Sequence, residues 1–579
     1  MTGQIGALLP RWVKGLDRPT VTSDLAAGVT VGALLVPQAM AYAQLAGLPP
    51  EVGLYSAALP VIVYAFFGTS RQLAVGPVAI VSLLTASALA PIAEEGSADY
   101  VAAAGLLALL VGLAHLVFGV GRLGGLVSLL SHSVLVGFTA AAAIIIGFSQ
   151  AKHLLGVSIP RQDSFLETVA EVVRTADETH GTTLLVGLVA LAVLFGLKAL
   201  APRVPAALVV VLGSIAAVQL FDLEDRGVKV VGDIPDVLVD FGVPSLDGSL
   251  VGDLIVTALV ITLVGFMESI AVAKVYARRH RYDLDPNREL VSLGAANVAS
   301  GFVGGFPVTG GFSRTAVNDR AGAKSPLASV FAAIVVLIAI ALLTPLLSSL
   351  PNAALGAVIV AAVVGLIDVA EMRHIARVKR SDLIGLTVAF VATLTLGIEL
   401  GIAVAVVASM LVVFARISKP HSAILGHVAG TTSYRNVERF AEAEIESGIR
   451  VLRVDAALSF ANATAVKRLL VAGADALVDQ PRALVLDASG INDIDATGVE
   501  MLDEVLEDLD DRGVALHLAD VKGPVRDVLR RAGLWDRLGP RIHASSHDAV
   551  EVITARRGTP ADQRASGIDE RAAVPGLVD

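Results

Sequence analysis

Long apolar runs recur from Leu25 to Phe414, separated by short polar breaks, and the pattern changes abruptly at Lys419-Pro420. Runs of about 18 or more mostly apolar residues can each cross roughly 30 Å of hydrocarbon. The pattern predicts about fourteen hydrophobic elements, some too short to span alone. Their centres fall near Leu35, Leu59, Ile80, Leu110, Ala141, Leu191, Val210, Val260, Ala295, Ala316, Leu337, Val360, Val391 and Val406. After Pro420 the periods are those of a soluble α/β domain. Ile449 to Val454 alternates like a strand, and Ala483 to Leu486 and Val514 to Leu518 read as short buried strands. Asn462 to Ala474, Thr497 to Leu509 and Pro524 to Ala532 have helical spacing. The expected organisation is an interfacial segment over 1–19, a transmembrane part over 20–418, an α/β domain over 421–555 and a disordered tail over 556–579.

Loop charge supplies an orientation. With the N-terminus inside, the even-numbered loops should hold the Lys/Arg excess. They hold Arg71, Arg122, Lys198 with Arg203, Arg278 through Arg281, Arg320 with Lys324, and Arg373 through Arg380. The opposite loops lean acidic, with Glu94, Glu95 and Asp99, then Asp222, Glu224, Asp225, Asp233 and Asp236. Lys152, Arg161, Arg174, Arg226 and Lys229 are exceptions, in longer outer loops where the rule weakens. Both termini are expected in the cytoplasm.

One stretch does not fit a lipid-facing helix. Gly304 to Asn318 carries four glycines, a proline, several hydroxyls and Arg314. Irregular backbone inside a bilayer survives only where protein or a water-filled cavity covers it. A helix starting near Phe312 would aim its free N–H groups and positive dipole end into such a cavity, which is a way to hold an anion. A second interrupted segment, Val75-Gly-Pro-Val-Ala79, opens the third element as Gly304 to Ser313 opens the tenth. Gln38 precedes the first interruption and Glu268 the second, from the first and eighth elements. Paired interruptions at matching places in two halves point to a transporter's midplane site. Seven elements per half would make the repeat inverted.

Composition narrows the choice further. The 579 residues are 55% hydrophobic and only 17% charged, with a mean hydropathy of +0.73. A net charge of −10 argues against nucleic acid. No cysteine means no disulfide, thiolate metal site or redox switch. No signal peptide is evident, and Trp12 between Arg11 and Lys14 reads as lying on the membrane surface. Ala321 to Ser325 hints at a phosphate loop, but Ala323 stands where the motif needs glycine, so no ATPase is expected. No metal-protease helix or hydrolase triad is present, so the protein is read as no enzyme, with no cofactor and no metal.

Val36-Pro-Gln-Ala-Met-Ala-Tyr-Ala43 and Phe306 to Asn318 resemble the first-span and tenth-span motifs of the SulP family of anion permeases, relatives of the animal solute-carrier 26 proteins. His421 to about Ile553 resembles the STAS domain that usually follows them. The resemblance implies a core and a gate domain in a seven-plus-seven inverted repeat, with two half-helices whose N-termini meet at the substrate. It also implies a dimer.

Arg314 either snorkels from a helix end or supplies a fixed positive charge, and the resemblance favours the charge. Its planar fork suits an oxyanion better than lysine would. Ser313 can add its hydroxyl and backbone N–H, while Val78, Ala79 and Phe312 would contribute backbone N–H and shape. Gln38 and Tyr42 share a helix face, which suits ordinary interhelical hydrogen bonds as well; the resemblance places both beside the substrate. Glu268 is either a structural partner of Arg314 or Lys274, or a carboxylate whose protonation is linked to anion binding. Sodium-coupled bicarbonate carriers of the family have Asp here and Thr a turn later; Glu268 and Val272 favour protons instead. Thr497, opening a helix, reads as a plain N-cap or, through the resemblance, as a regulatory phosphorylation site.

The expected function is proton-coupled uptake of sulfate by alternating access, in the cytoplasmic (inner) membrane of a bacterium. Bicarbonate or a dicarboxylate such as fumarate is the alternative substrate. A channel-like or sensor role for the same scaffold is the alternative class.

Overall fold

The structure is a computed structural model that describes residues 12–13, 16–125, 132–159, 164–201, 204–232, 242, 248–477 and 482–557. The expected tail lies outside the described residues from 558 onward, as does most of the N-terminal segment. Trp12 is described, and its indole N–H donates to the Ala65 carbonyl at 2.8 Å. The chain divides into two compact units, Met1–Met410 and Leu411–Asp579.

The first unit is helical. Its elements are α1 (Arg18–Leu45), α2 (Pro50–Phe67), β1 (Val75–Gly76), α3 (Ala79–Leu89), α4 (Ala98–Val120), α5 (His132–Ser149), α6 (Ala151–Leu155) and α7 (Phe165–Arg174). They continue as α8 (Gly181–Leu200), α9 (Ala206–Phe221), α10 (Gly248–Arg279), α11 (Pro286–Phe302), β2 (Thr309–Gly310) and α12 (Phe312–Arg320). Last come α13 (Leu327–Leu347), α14 (Asn352–Val364), α15 (Val369–Val378) and α16 (Arg380–Ser418), which is broken at Gly397, whose φ is 81°, and whose last residues run past Met410. Among the described residues, eight helices are long and apolar enough to cross a membrane. Lipid-facing positions such as Val117, Leu185, Leu220 and Leu342 stay exposed on the protein surface, as the bilayer rather than a core would cover them.

Small residues set the helix spacing. A Cβ on Gly28 would lie 2.4 Å from the Phe331 Cβ, and one on Gly32 would lie 2.6 Å from the Val335 Cβ, so α1 touches α13 through a small-xxx-small stripe. Between α4 and α11, Gly112 and Gly119 meet Val298 and Val291, and Gly301 meets the Gly105 carbonyl. Inside α1, Pro37 has no N–H for the carbonyl of Ala33, which loosens the helix just before Gln38.

Buried polar side chains bolt these helices together. Asp24 of α1, fully buried, accepts from the Lys324 and Ser325 N–H groups at 2.6 and 3.1 Å and from the Ser325 hydroxyl at 2.5 Å. The turn that hinted at a phosphate loop thus holds a carboxylate of the same chain. Glu289 of α11 accepts from the Tyr64 hydroxyl, the Thr69 hydroxyl and N–H, and the Ser70 N–H. Four donors to one carboxylate tie the end of α2 and the chain after it to α11.

The second unit is a mixed sheet ordered β4-β3-β6-β7-β8-β9, with β5 paired to β3. The strands are β3 (Ser422–Val428), β4 (Tyr434–Asn436), β5 (Ala443–Glu444), β6 (Ile449–Val454), β7 (Ala483–Asp487), β8 (Ala515–Ala519) and β9 (Ile542–His543). β6 to β9 are parallel and β3 runs antiparallel to β6. Leu484 and Leu486 face a core with α17 (Ala463–Asp475), α18 (Ala496–Asp511) and α19 (Gly523–Arg531). Ala483 and Val485 face Ala549, Val550 and Ile553 of a further helix, Ser546–Arg557. Burial on both faces explains why β7 reads as an unbroken apolar run. The periodic strands and helices of the sequence lie within two residues of these bounds.

Candidate functional site

β1 and β2 pair antiparallel, Val75 opposite Gly310 and Gly76 opposite Thr309. Antiparallel pairing sends the chain out of the ribbon in opposite directions. α3 therefore leaves one end and α12 the other, with both N-termini held at the ribbon. Neither N-cap, Val78 for α3 or Gly311 for α12, offers a side-chain hydrogen bond to its helix. The first intrahelical donors are the N–H groups of Ser82 and Thr315, so the N–H groups of the first turns remain for another acceptor.

The irregular backbone before α12 is satisfied by side chains from three helices. Asn297 of α11 accepts from the Val308 N–H at 2.8 Å and donates to its carbonyl at 2.9 Å. Ser300 donates to the Phe306 carbonyl, and Ser56 of α2 accepts from the Phe306 N–H. Ser269 of α10 accepts from the Gly310 N–H at 2.8 Å, and the Thr309 hydroxyl donates to the Gly265 carbonyl. On the other side the Ala74 N–H donates to the Thr315 hydroxyl, and the Asn318 amide to the Gln72 carbonyl. These bonds allow non-helical chain at this depth.

Arg314 lies at the centre, 1% exposed. It donates through Nη1 to the Pro77 carbonyl, which joins α12 to the N-terminus of α3. Room for its guanidinium comes from two glycines. A Cβ on Gly311 would lie 3.1 Å from Nη2, and one on Gly76, whose φ is 150°, would lie 3.4 Å from it. Arg314 Nε and Nη2, Glu268 Oε2 and Gln38 Oε1 are buried with no hydrogen-bond partner among the described residues. Buried polar groups are nearly always paired, so the Arg314 and Glu268 atoms, which lie within electrostatic reach of each other, mark a place where something else can supply the partners. Tyr42 and Glu268 are near enough to Arg314 to interact with its charge. No ion pair joins Glu268 to Arg314 within 4 Å among the described residues, so a direct salt bridge between these two is not what this geometry displays.

The other candidates divide. Gln38, Tyr42, Val78 and Ala79 are buried, with Val78 close to Gly311 beside the guanidinium. Phe312 is 46% exposed, and Ser313 next to it is also exposed, so this edge of the α12 N-terminus is open. Thr497 is remote in sequence and belongs to the second unit, where it is exposed. It is not the cap of its helix: Asp495 is, accepting from the Gly498 N–H at 2.8 Å. Sequence reading missed the β1–β2 ribbon and the clamps Asn297, Ser56, Ser269 and Asp24. A lone Asn or Asp inside an apolar helix was the available signal for two of them.

Residues 21–392 match the sulfate permease family, and residues 440–549 match the STAS domain. The chain is 38% identical over 549 residues to sulfate transporter 4.1, chloroplastic, of Arabidopsis thaliana, covering 91% of this chain and 79% of that protein. It is 37% identical over 547 residues to a probable sulfate transporter of Mycobacterium tuberculosis, covering 94% of this chain and 96% of that one. Its fold is similar to that of the murine solute carrier 26 family member A9 anion transporter in the inward-facing state, with a TM-score of 0.87, 26% identity and coverage of 96% of this chain and 95% of that chain. A transmembrane unit with paired half-helices, followed by an α/β domain, and these matches over nearly all of its length lead to one conclusion: the chain belongs to the sulfate permease family.

Proposed function

We propose that the protein is a secondary active transporter that takes up sulfate with protons by alternating access. The observation that carries this reading is the convergence of two uncapped half-helix N-termini on Arg314, whose Nε and Nη2 have no partner among the described residues. Fixed charge, oriented N–H groups and low surrounding polarity suit a small oxyanion. Sulfate is favoured over bicarbonate or a dicarboxylate because the full-length relatives are named for it. Gln38, Tyr42, Val78, Ala79, Phe312 and Ser313 line the rest of the site in this reading.

Moving a dianion into a negative cell costs about 2.3 kcal/mol per charge for each 100 mV. Two entering protons remove that cost. Glu268 carries one, and its position beside Ser269, which holds β2, ties the protonated carboxyl to the half-helix that presents Arg314. The second proton enters on the substrate or on another group. The protein works as a homodimer in the cytoplasmic (inner) membrane of a bacterium, in contact with lipid, with both termini inside. Its STAS domain supports docking, and Thr497, exposed at a helix N-terminus, is open to regulatory phosphorylation.

The test is uptake of radiolabelled sulfate into liposomes holding the pure protein, under an inward proton gradient or an inward sodium gradient. Proton-driven, saturable uptake with counterflow supports the carrier. Uptake under neither gradient sinks the sulfate reading.

A further inference from the structure

Two lysines that break the loop-charge pattern, Lys152 and Lys229, line one cavity of about 440 Å³. Lys152 comes from α6, and Lys229 from the segment after α9. His153, Ser158, Thr183 and Asn352 face the same chamber, and no carboxylate lines it among the described residues. The chamber is built rather than incidental. The Lys229 carbonyl accepts from the Asn352 N–H at 3.0 Å, and Val230 bridges to Pro351. Gly156 turns the chain left-handed after α6, and Gly356 of α14 leaves space for the His153 side chain. The two charges that reach the His153 ring are both these lysines.

Ammonium groups sharing a partly enclosed space repel one another, and a divalent oxyanion between them turns that repulsion into attraction. Ser158 adds a neutral hydroxyl, and Asn352, whose amide also donates to the Val230 carbonyl, has a second N–H to offer; the Thr183 hydroxyl is shared with His180. Lys152 and His153 also line a neighbouring crevice of about 520 Å³ that reaches Gln44 and Leu45 at the end of α1, and Leu83, Ala86 and Ser87 of α3, with Glu95 on its wall. The chamber therefore opens toward the half-helix whose other end meets Arg314.

We infer that the Lys152–Lys229 chamber is a second anion site, an outer loading site that holds a small divalent oxyanion before it reaches Arg314. The inference rests on the transport reading for the direction of flow, but the presence of the site does not. On an outer face whose loops lean acidic, such a site raises the local anion concentration at the entrance.

Equilibrium binding of radiolabelled sulfate to the full-length protein in phosphatidylcholine nanodiscs tests it. Arg314→Ala should keep a weak class of bound sulfate, and Lys152→Gln with Lys229→Gln in that background should remove it. In the otherwise wild-type protein the lysine pair of substitutions should raise the KM for external sulfate about tenfold with kcat unchanged. Absence of residual sulfate binding in Arg314→Ala, with its thermal melting retained, overturns the site. A wild-type KM in the lysine variant overturns its loading role. Displacement of the weakly bound sulfate by adding phosphatidylglycerol would assign the chamber to a lipid headgroup and overturn the free-anion reading. Binding is read without transport, so absent uptake by the wild type counts against the transport reading alone.

Discussion

Arg314 spans the gap between the two half-helices by donating to the carbonyl of Pro77. The residue read as the anion's charge is therefore also a tie between α12 and α3. One nitrogen holds the frame, and two others have no partner among the described residues. Only a forked, permanently charged group can do both at once.

Arg314→Lys separates these duties. A lysine keeps the positive charge but cannot reach the Pro77 carbonyl and present further donors in the same plane. Sulfate uptake is expected to fall at least about tenfold, while Arg314→Ala abolishes it; removing a hydrogen bond to a charged group in a buried site typically costs about 1.5–3 kcal/mol. Uptake kinetics beside thermal melting of the detergent-solubilised protein check this. Wild-type uptake in Arg314→Lys would mean that charge alone suffices.

Asn297 clamps the broken chain by meeting both backbone groups of Val308. Asn297→Leu leaves an N–H and a carbonyl buried without partners. Each orphan group costs about 1–3 kcal/mol, so a clear drop in melting temperature is expected, along with lost uptake. A variant that melts like the wild type would show that these bonds contribute little.

The division between what could be read and what could not follows from where the information resides. Apolar runs and the shift to α/β periods are local, so the two-part architecture and the strand Ile449–Val454 were legible. Glycine, proline and Arg314 in one apolar segment break a local rule, which exposed the site. The β1–β2 ribbon was hidden because it has two residues per strand and pairs segments more than two hundred positions apart. Asp495 rather than Thr497 caps its helix because the helix starts one residue earlier than its periodicity indicates. The lack of an ion pair between Glu268 and Arg314 is a distance, and no pattern of residues encodes it.

Gly53 lets α2 press directly on α1 beside the site. A Cβ there would lie 2.0 Å from the Ala39 carbonyl oxygen and 2.5 Å from its carbon. Backbone cannot yield as a side chain can, so Gly53→Ala must push the helices apart next to Gln38. Such overpacking costs about 1–3 kcal/mol, and the displaced face should reduce sulfate uptake as well. Gly252→Ala in α10 is the control, since a Cβ there meets nothing within 4 Å. Equal melting temperatures and uptake for the two variants would refute the close contact.

Glu268→Gln tests the coupling directly. Glutamine preserves the shape and hydrogen-bonding reach of a protonated glutamate but never releases or takes up a proton. In the wild type, uptake should rise as the external pH falls, because a protonated Glu268 no longer offsets the charge of Arg314. Glu268→Gln should instead keep exchange of labelled for unlabelled sulfate while losing one of the two coupled protons, so that accumulation driven by a proton gradient falls well below that of the wild type. The two assays are run on the same liposomes, so a misfolded variant fails both and is recognised by its silent exchange. If Glu268→Gln accumulates sulfate under a proton gradient as strongly as the wild type, both protons travel by other groups, and Glu268 is left with a structural role near Arg314.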